Sequence, residues 1–308
     1  MSARLGSGPR RSPAVASTLR LWLVAARPRT LPAAIAPVLV GTALAATEGV
    51  FGALVFAAAV VGSVFIQIGT NLSNDYSDAR RGADTEDRLG PVRVTGGGLM
   101  PPRRVLVGTW VAFAIAVAAG TYLVAVSGWE LAVVGGLSIL AGVLYTGGPR
   151  PYGYDGLGEL FVFLFFGVVA VAGSYFAQTE RIVWEAIALS VPVGLLAAAI
   201  LIVNNVRDLD TDRRAGKRTL AVKLGREGAR RLFVAVVAVA FFTPVAVWLA
   251  GGLSAWILIS LAAAPLAVPL ARTVLTRVDG PSLNVALGNS GALLALFSLL
   301  LAAGVLAS

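Results

Sequence analysis

Neither cysteine nor histidine occurs anywhere in the 308 residues. Without cysteine there is no disulfide, no thiolate nucleophile and no thiolate metal site. Without histidine the usual general base and haem ligand are missing, and most transition-metal chemistry goes with them. Any bound metal is restricted to a hard, oxygen-liganded ion. Charge is scarce too: 13% of residues are charged and 57% are hydrophobic, whereas soluble domains carry about 25% charged residues. With a mean hydropathy of +0.82, an integral membrane protein is the reading that remains. The net charge of +9 is dispersed over short connections between apolar stretches. It speaks for orientation in a bilayer and against nucleic acid as a partner.

Two apolar stretches end in amides and carboxylates. Residues 51–70 contain no ionisable side chain, a length of ~20 that suits a membrane span. Asn71, Asn74, Asp75 and Asp78 then follow at i, i+3, i+4 and i+7, on one face if the helix continues. Gly82 offers an exit from the helix and Asp84 adds a carboxylate just beyond. Residues 186–206 are likewise uncharged and run into Asn204, Asp208 and Asp212, at i, i+4 and i+8, with Asp210 off that face. The two motifs, NDYSDARRGAD and RDLDTDRRAGKR, form a weak internal repeat.

Nine spans can be drawn, at about 20–46, 51–78, 103–126, 130–147, 157–178, 184–206, 228–250, 253–272 and 284–306. The fold class expected is an all-α membrane bundle of about nine helices, residues 19–308 forming one domain behind a disordered tail over 1–18. With the N-terminus in the cytoplasm, every basic residue except Arg181 falls in the tail or on an inside loop. Both acidic stretches then reach the cytoplasmic face, where they can meet.

Several carboxylates gathered in one place need compensation to stay ionised. Mg²⁺ binds one or two carboxylates together with phosphate oxygens and waters. Arg207, Lys217 and Arg218 beside the second motif are suited to phosphate oxygens. Metal and basic residues thus point to one ligand, a diphosphate, and the apolar spans suit a lipid-like tail. The metal candidates are Asp75, Asp78, Asp84, Asp208 and Asp212. A membrane transporter is the competing class, because intramembrane carboxylates also mark ion pathways.

At Asn74-Asp75-x-x-Asp78 and Asp208-x-x-x-Asp212 the sequence closely resembles the UbiA family of intramembrane prenyltransferases. The strings 25–41, 74–98, 145–160 and 204–225 carry the likeness, and they point to the branch that prenylates a naphthoate. Where some members have a third Asp four residues after the second, this chain has Gly82, with Asp84 two further on.

The resemblance implies a helical bundle around a cavity open sideways to lipid, with the Asp motifs holding Mg²⁺ and a polyprenyl diphosphate. It further implies transfer of the prenyl group to 1,4-dihydroxy-2-naphthoate with loss of diphosphate and carbon dioxide, giving demethylmenaquinone in a bacterial plasma membrane. Asp78, Asp208 and Asp212 would act at the reaction centre, with Asn74, Arg207 and Lys217 on the substrate. An allylic cation is stabilised by aromatic faces, for which Tyr76, Tyr145, Tyr152 and Tyr154 are placed near the polar ends. An acceptor carboxylate needs a cation, and Arg27, Arg29 or Arg150 would serve. The naphthol proton must go to a carboxylate, a tyrosinate or water, with Glu159 one candidate. 4-Hydroxybenzoate or homogentisate is the nearest alternative acceptor.

Overall fold

The computed structural model describes residues 18–83 and 89–308, and among these there are helices and connections but no strand. Asp84 and the tail up to residue 17 lie outside the described residues.

The predicted first span is bent. Thr18–Ala26 (α1) and a single 3-10 turn at Pro28–Thr30 meet Pro32–Thr47 (α2) at 51°. Two prolines flank the bend, and Arg27 takes a left-handed conformation (φ 52°), so α1 cannot run on into α2. Side-chain hydrogen bonds fix the corner. Thr30 Oγ1 donates to Arg27 O at 3.0 Å and accepts from Gln67 Nε2 and Asn71 Nδ2, both at 3.1 Å.

Ala53–Arg80 (α3) and Pro102–Ser127 (α4) follow, then Glu130–Leu144 (α5). At 15 residues α5 rises only ~22 Å, short of the ~30 Å hydrocarbon layer. Gly158–Val162 (α6), a π-helical stretch at Phe163–Val169 and Ala170–Thr179 (α7) form one continuous span of 22 residues. The remaining long helices are Trp184–Arg214 (α8), Leu220–Leu249 (α9, broken at Gly225), a 3-10 segment with Ala264–Thr276 (α10), and Gly280–Leu306 (α11). Among the described residues seven helices are long and apolar enough to cross a bilayer, besides the bent pair and the shorter α5.

Length places the acidic motifs. The 28 residues of α3 rise ~42 Å, so about eight exceed the ~30 Å apolar layer. Those eight are Ser73–Arg80, the first motif. In α8, 31 residues rise ~46 Å, and the overhang holds Asn204 to Arg214.

α8 is the central helix: 72% of its most apolar stretch is buried against other helices, against 17% for α3. Leu189, Val193, Leu196, Ile202 and Val206 pack there with Phe233 of α9 and Phe297 of α11. Small residues bring backbones close, the usual currency of helix packing in lipid. A Cβ on Gly194 of α8 would lie 2.9 Å from Gly167 Cα in the π-helical stretch. Trp110, Leu54 and Phe242 project outward from the bundle, as a lipid-facing surface requires.

Candidate active site

The overhanging ends of α3 and α8 share one cavity of ≈ 630 Å³, lined by Asp78 from α3 and by Asp208 and Asp212 from α8. Each carboxylate is compensated. Asp78 is 1% exposed, accepts from Arg93 Nη2 at 2.8 Å, and accepts from the Tyr154 hydroxyl at 2.5 Å. Asp208 is held through both oxygens by Arg207, at 2.8 and 2.6 Å. Asp212 lies 3.7 Å from Lys217 Nζ, and that ammonium sits 4.7 Å from the centre of the Tyr154 ring. Tyr154 therefore touches the first motif through its hydroxyl and the second motif's lysine through its face. Such pairing is what keeps carboxylates ionised in a partly dry site.

Asp75 does not face the cavity. It is 2% exposed and its oxygens accept the backbone N–H groups of Val94 and Thr95, at 3.0 and 2.9 Å. The carboxylate expected to ligate metal instead fastens the α3–α4 connection over the end of α3. That loop carries Arg93 into the cavity wall. Arg207 likewise departs from its expected role as a phosphate contact. Besides Asp208 it donates to Asn204 Oδ1 and Asn284 Oδ1, both at 2.7 Å, and it is absent from the cavity wall. Its guanidinium is spent on protein acceptors.

Asn74 lines the cavity with its Oδ1 accepting from Thr146 Oγ1 at 2.9 Å. Tyr145 and Tyr152 also line it, ring centres 5.4 Å apart and edge-on, and Tyr152 stacks on Phe161 at 4.1 Å. The Tyr152 hydroxyl donates to Ala141 O at 2.8 Å. Burial raises the pKa of Tyr152. Burial, with the charge of Asp78 beside it, does the same for Tyr154, so both stay protonated at neutral pH. Glu159 is buried behind the wall, bonded to Asn205. Tyr76 lies off the cavity under Arg80.

Arg29 and Arg150 are exposed and outside the cavity wall; of the three candidate cations for an acceptor carboxylate, Arg27 alone lines it. Asp210 points away and pairs with Arg226 at 2.6 Å. Arg93 and Asn205 are cavity residues that the candidate set omitted. Arg93 lies in the string GPVRVTGGG, but nothing local says that its loop folds back onto α3. Below the polar end the wall is apolar, running through Ile66, Phe165, Val169 and Leu201. Val117 and Thr121 of α4 belong to the wall and are exposed, so the apolar end opens sideways.

The donor set suits a hard ion carried by its ligand. Among the described residues no three carboxylates converge tightly enough to cage a metal. Mg²⁺ needs no such cage, since phosphate and water complete its octahedron. Asp78, Asp208 and Asp212 supply oxygen donors only, and a carboxylate already in one hydrogen bond per oxygen keeps lone pairs in reserve.

Fold and site together define a multi-span helical membrane protein with an acidic-and-basic chamber above an apolar, laterally open pocket. The UbiA prenyltransferase family model matches residues 34–297, and the chain belongs to that family. It is 43% identical over 283 residues to 1,4-dihydroxy-2-naphthoate octaprenyltransferase of Mycobacterium tuberculosis, covering 91% of this chain and 95% of that one. The Escherichia coli enzyme of the same name is 40% identical, covering 85% of this chain and 87% of that one. That of Bacillus subtilis is 36% identical, covering 94% and 92%. Among solved structures, a UbiA homolog from Archaeoglobus fulgidus bound to GPP and Mg²⁺ superposes with a TM-score of 0.64 at 18% identity, covering 94% of this chain and all of that one. The apo UbiA homolog from Aeropyrum pernix gives 0.67 at 17%, covering 89% and 97%. At such identities these structures speak for the fold alone. Family membership sets the transporter alternative aside.

Proposed function

We propose that this protein transfers a polyprenyl group from polyprenyl diphosphate to 1,4-dihydroxy-2-naphthoate, releasing diphosphate and carbon dioxide and giving demethylmenaquinone. The carrying observation is that Asp78, Asp208 and Asp212 reach one cavity from two helices, with Arg93, Arg27 and Lys217 in the same wall. The relatives named for this activity match nearly the whole chain, which favours the naphthoate over another aromatic acceptor.

Asp78, Asp208 and Asp212 are the residues that would hold Mg²⁺, with Asn74 beside them. When bound, the ion supplies charge neutralisation on the departing diphosphate. Lys217, Arg93 and Arg27 add preorganised positive charge to the same end. Tyr154 holds Asp78 and Lys217 in register. The Tyr145, Tyr152 and Phe161 rings line the cavity next to the polar end, where an allylic cation would form and aromatic rings stabilise it. The apolar wall takes the tail and excludes water from that cation. Arg27 is the cation placed to meet the acceptor's carboxylate. Residues 19–308 act as one catalytic unit in the plasma membrane, with the acidic end on the cytoplasmic side, as the basic loops direct.

Purified protein incubated with dihydroxynaphthoate, Mg²⁺ and prenyl diphosphates of graded length, with product mass as readout, tests the assignment. Asp78→Asn and Asp208→Asn are each expected to lower turnover by roughly a hundredfold or more while leaving the protein folded. Chelation is expected to stop turnover, and added Mg²⁺ to restore it. Near-normal turnover in either variant would overturn the reading, and 4-hydroxybenzoate or homogentisate as the preferred acceptor would correct it.

A further inference from the structure

Glu159 is a buried carboxyl group that none of the steps above uses. It is 8% exposed in the first turn of α6. Oε1 accepts from Asn205 Nδ2 at 2.8 Å, while Oε2 is enclosed and meets no hydrogen-bond donor among the described residues. No cation among those residues forms an ion pair with it. Enclosing a carboxyl with so little in return is costly, and structures retain such groups where they serve a site.

Its one side-chain partner is part of the cavity wall, although Glu159 itself is not. The Oε1 that meets Asn205 is an acceptor, so the amide must turn its NH₂ toward it. That fixes Asn205 Oδ1 on the opposite side, away from Glu159. Asn205 lies three residues before Asp208 on α8, ~4.5 Å deeper along the helix axis. About one helical turn deeper the wall of α8 is apolar, at Ile200 and Leu201, whereas Asn204 beside Asn205 and Asp208 beyond it are polar. The oxygen therefore stands at the boundary between the charged chamber and the apolar pocket. An amide oxygen repels phosphate oxygens and attracts O–H donors. Polyprenyl diphosphate has no O–H to offer at its reacting end, whereas a dihydroxynaphthoate has two on the ring.

We propose that Glu159 is a positioning residue: it locks the Asn205 amide so that Oδ1 accepts a hydrogen bond from a ring hydroxyl of the aromatic acceptor. The pair forms the acceptor's hydroxyl subsite and sets which ring carbon faces the prenyl group. This rests on reading the cavity as a prenyl-transfer site.

The test is steady-state kinetics with each substrate varied in turn, on the purified enzyme and on Glu159→Ala, Glu159→Gln and Asn205→Ala. Glu159→Ala and Asn205→Ala are expected to raise the KM for the naphthoate about tenfold, the worth of one buried hydrogen bond. The KM for prenyl diphosphate should stay within about twofold, since no phosphate contact is touched. Glu159→Gln keeps an acceptor at Oε1 and is expected to recover most of the loss. An O-methylated naphthoate should react equally poorly with wild type and with Asn205→Ala. If Glu159→Ala does not fold, Asn205→Ala with the methylated acceptor decides. The proposal falls if Glu159→Gln is as inactive as Glu159→Ala with acceptor KM unchanged, which would make Glu159 a proton acceptor. It also falls if both Asn205→Ala and Glu159→Ala change the prenyl diphosphate KM instead. Retained turnover in Asp78→Asn would sink the prenyl-transfer reading itself, a result separable from any of these.

Discussion

At the scale of single residues, position on a helix face did not settle what a carboxylate does. Asp75 and Asp78 differ by three residues and share the helical stripe, yet one receives two loop N–H groups and the other faces the cavity. Replacing Asp75 by Ala leaves two buried N–H groups without an acceptor, a cost of about 1–3 kcal/mol each. Faster proteolysis of the α3–α4 connection is the expected outcome, with turnover lost as Arg93 leaves the wall. A variant with an intact, protease-resistant loop and weakened Mg²⁺ dependence would restore Asp75 as a metal ligand. Tyr154 makes a second prediction. Its pKa is raised in the folded protein, first by burial and then by Asp78. The bond to Asp78 is thus fully present below the ordinary tyrosine value of about 10 and is lost only as pH climbs through the raised one. Tyr154→Phe should lower turnover without altering the shape of the pH–rate profile between about pH 6 and 9. A limb in that range that disappears in the variant would contradict this.

At the scale of elements, lengths were readable from sequence and bends were not. Charge-free runs of span length located α3 and α8, and their surplus beyond a bilayer explains why the motifs overhang. The corner at Arg27–Thr30 depends on Gln67 and Asn71, some forty residues away, which no local pattern reveals. The π-helical stretch at Phe163–Val169 depends on α8 as well, where Gly167 and Gly194 let two backbones approach. Gly194→Ala would put a Cβ 2.8 Å from Phe163 O, and overpacking of this kind costs about 1–3 kcal/mol. A lower thermal midpoint in detergent is expected, together with weaker substrate binding as the cavity wall shifts. Gly120→Ala in α4 meets nothing within 4 Å and serves as the comparison for the thermal midpoint alone, since Gly120 lines the cavity. Equal midpoints for the two variants would mean that the crossing is looser than its geometry implies.

At the scale of the whole molecule, the part of the chain without a motif proves to be part of the site's support. Asn284 of α11 accepts from Arg207 and donates to Leu89 O at 3.0 Å. It thereby ties the second motif to the loop that follows the first. The last three spans offered no sequence signal because a lone asparagine near a helix start carries none. Asn284→Ala strands a buried guanidinium N–H, at about 1–3 kcal/mol, and loosens the grip on Asp208. Turnover should fall although residue 284 lies outside both motifs and the cavity wall; unchanged turnover would show that Arg207 holds Asp208 unaided.

That bridge also sets an order of events during synthesis. In the sequence 283 residues precede Asn284, so the two acidic helices are synthesised well before the amide that joins them. The insertion machinery therefore handles an incomplete catalyst until α11 docks, and a product truncated ahead of that helix would keep both aspartate motifs and still lack the clasp between them.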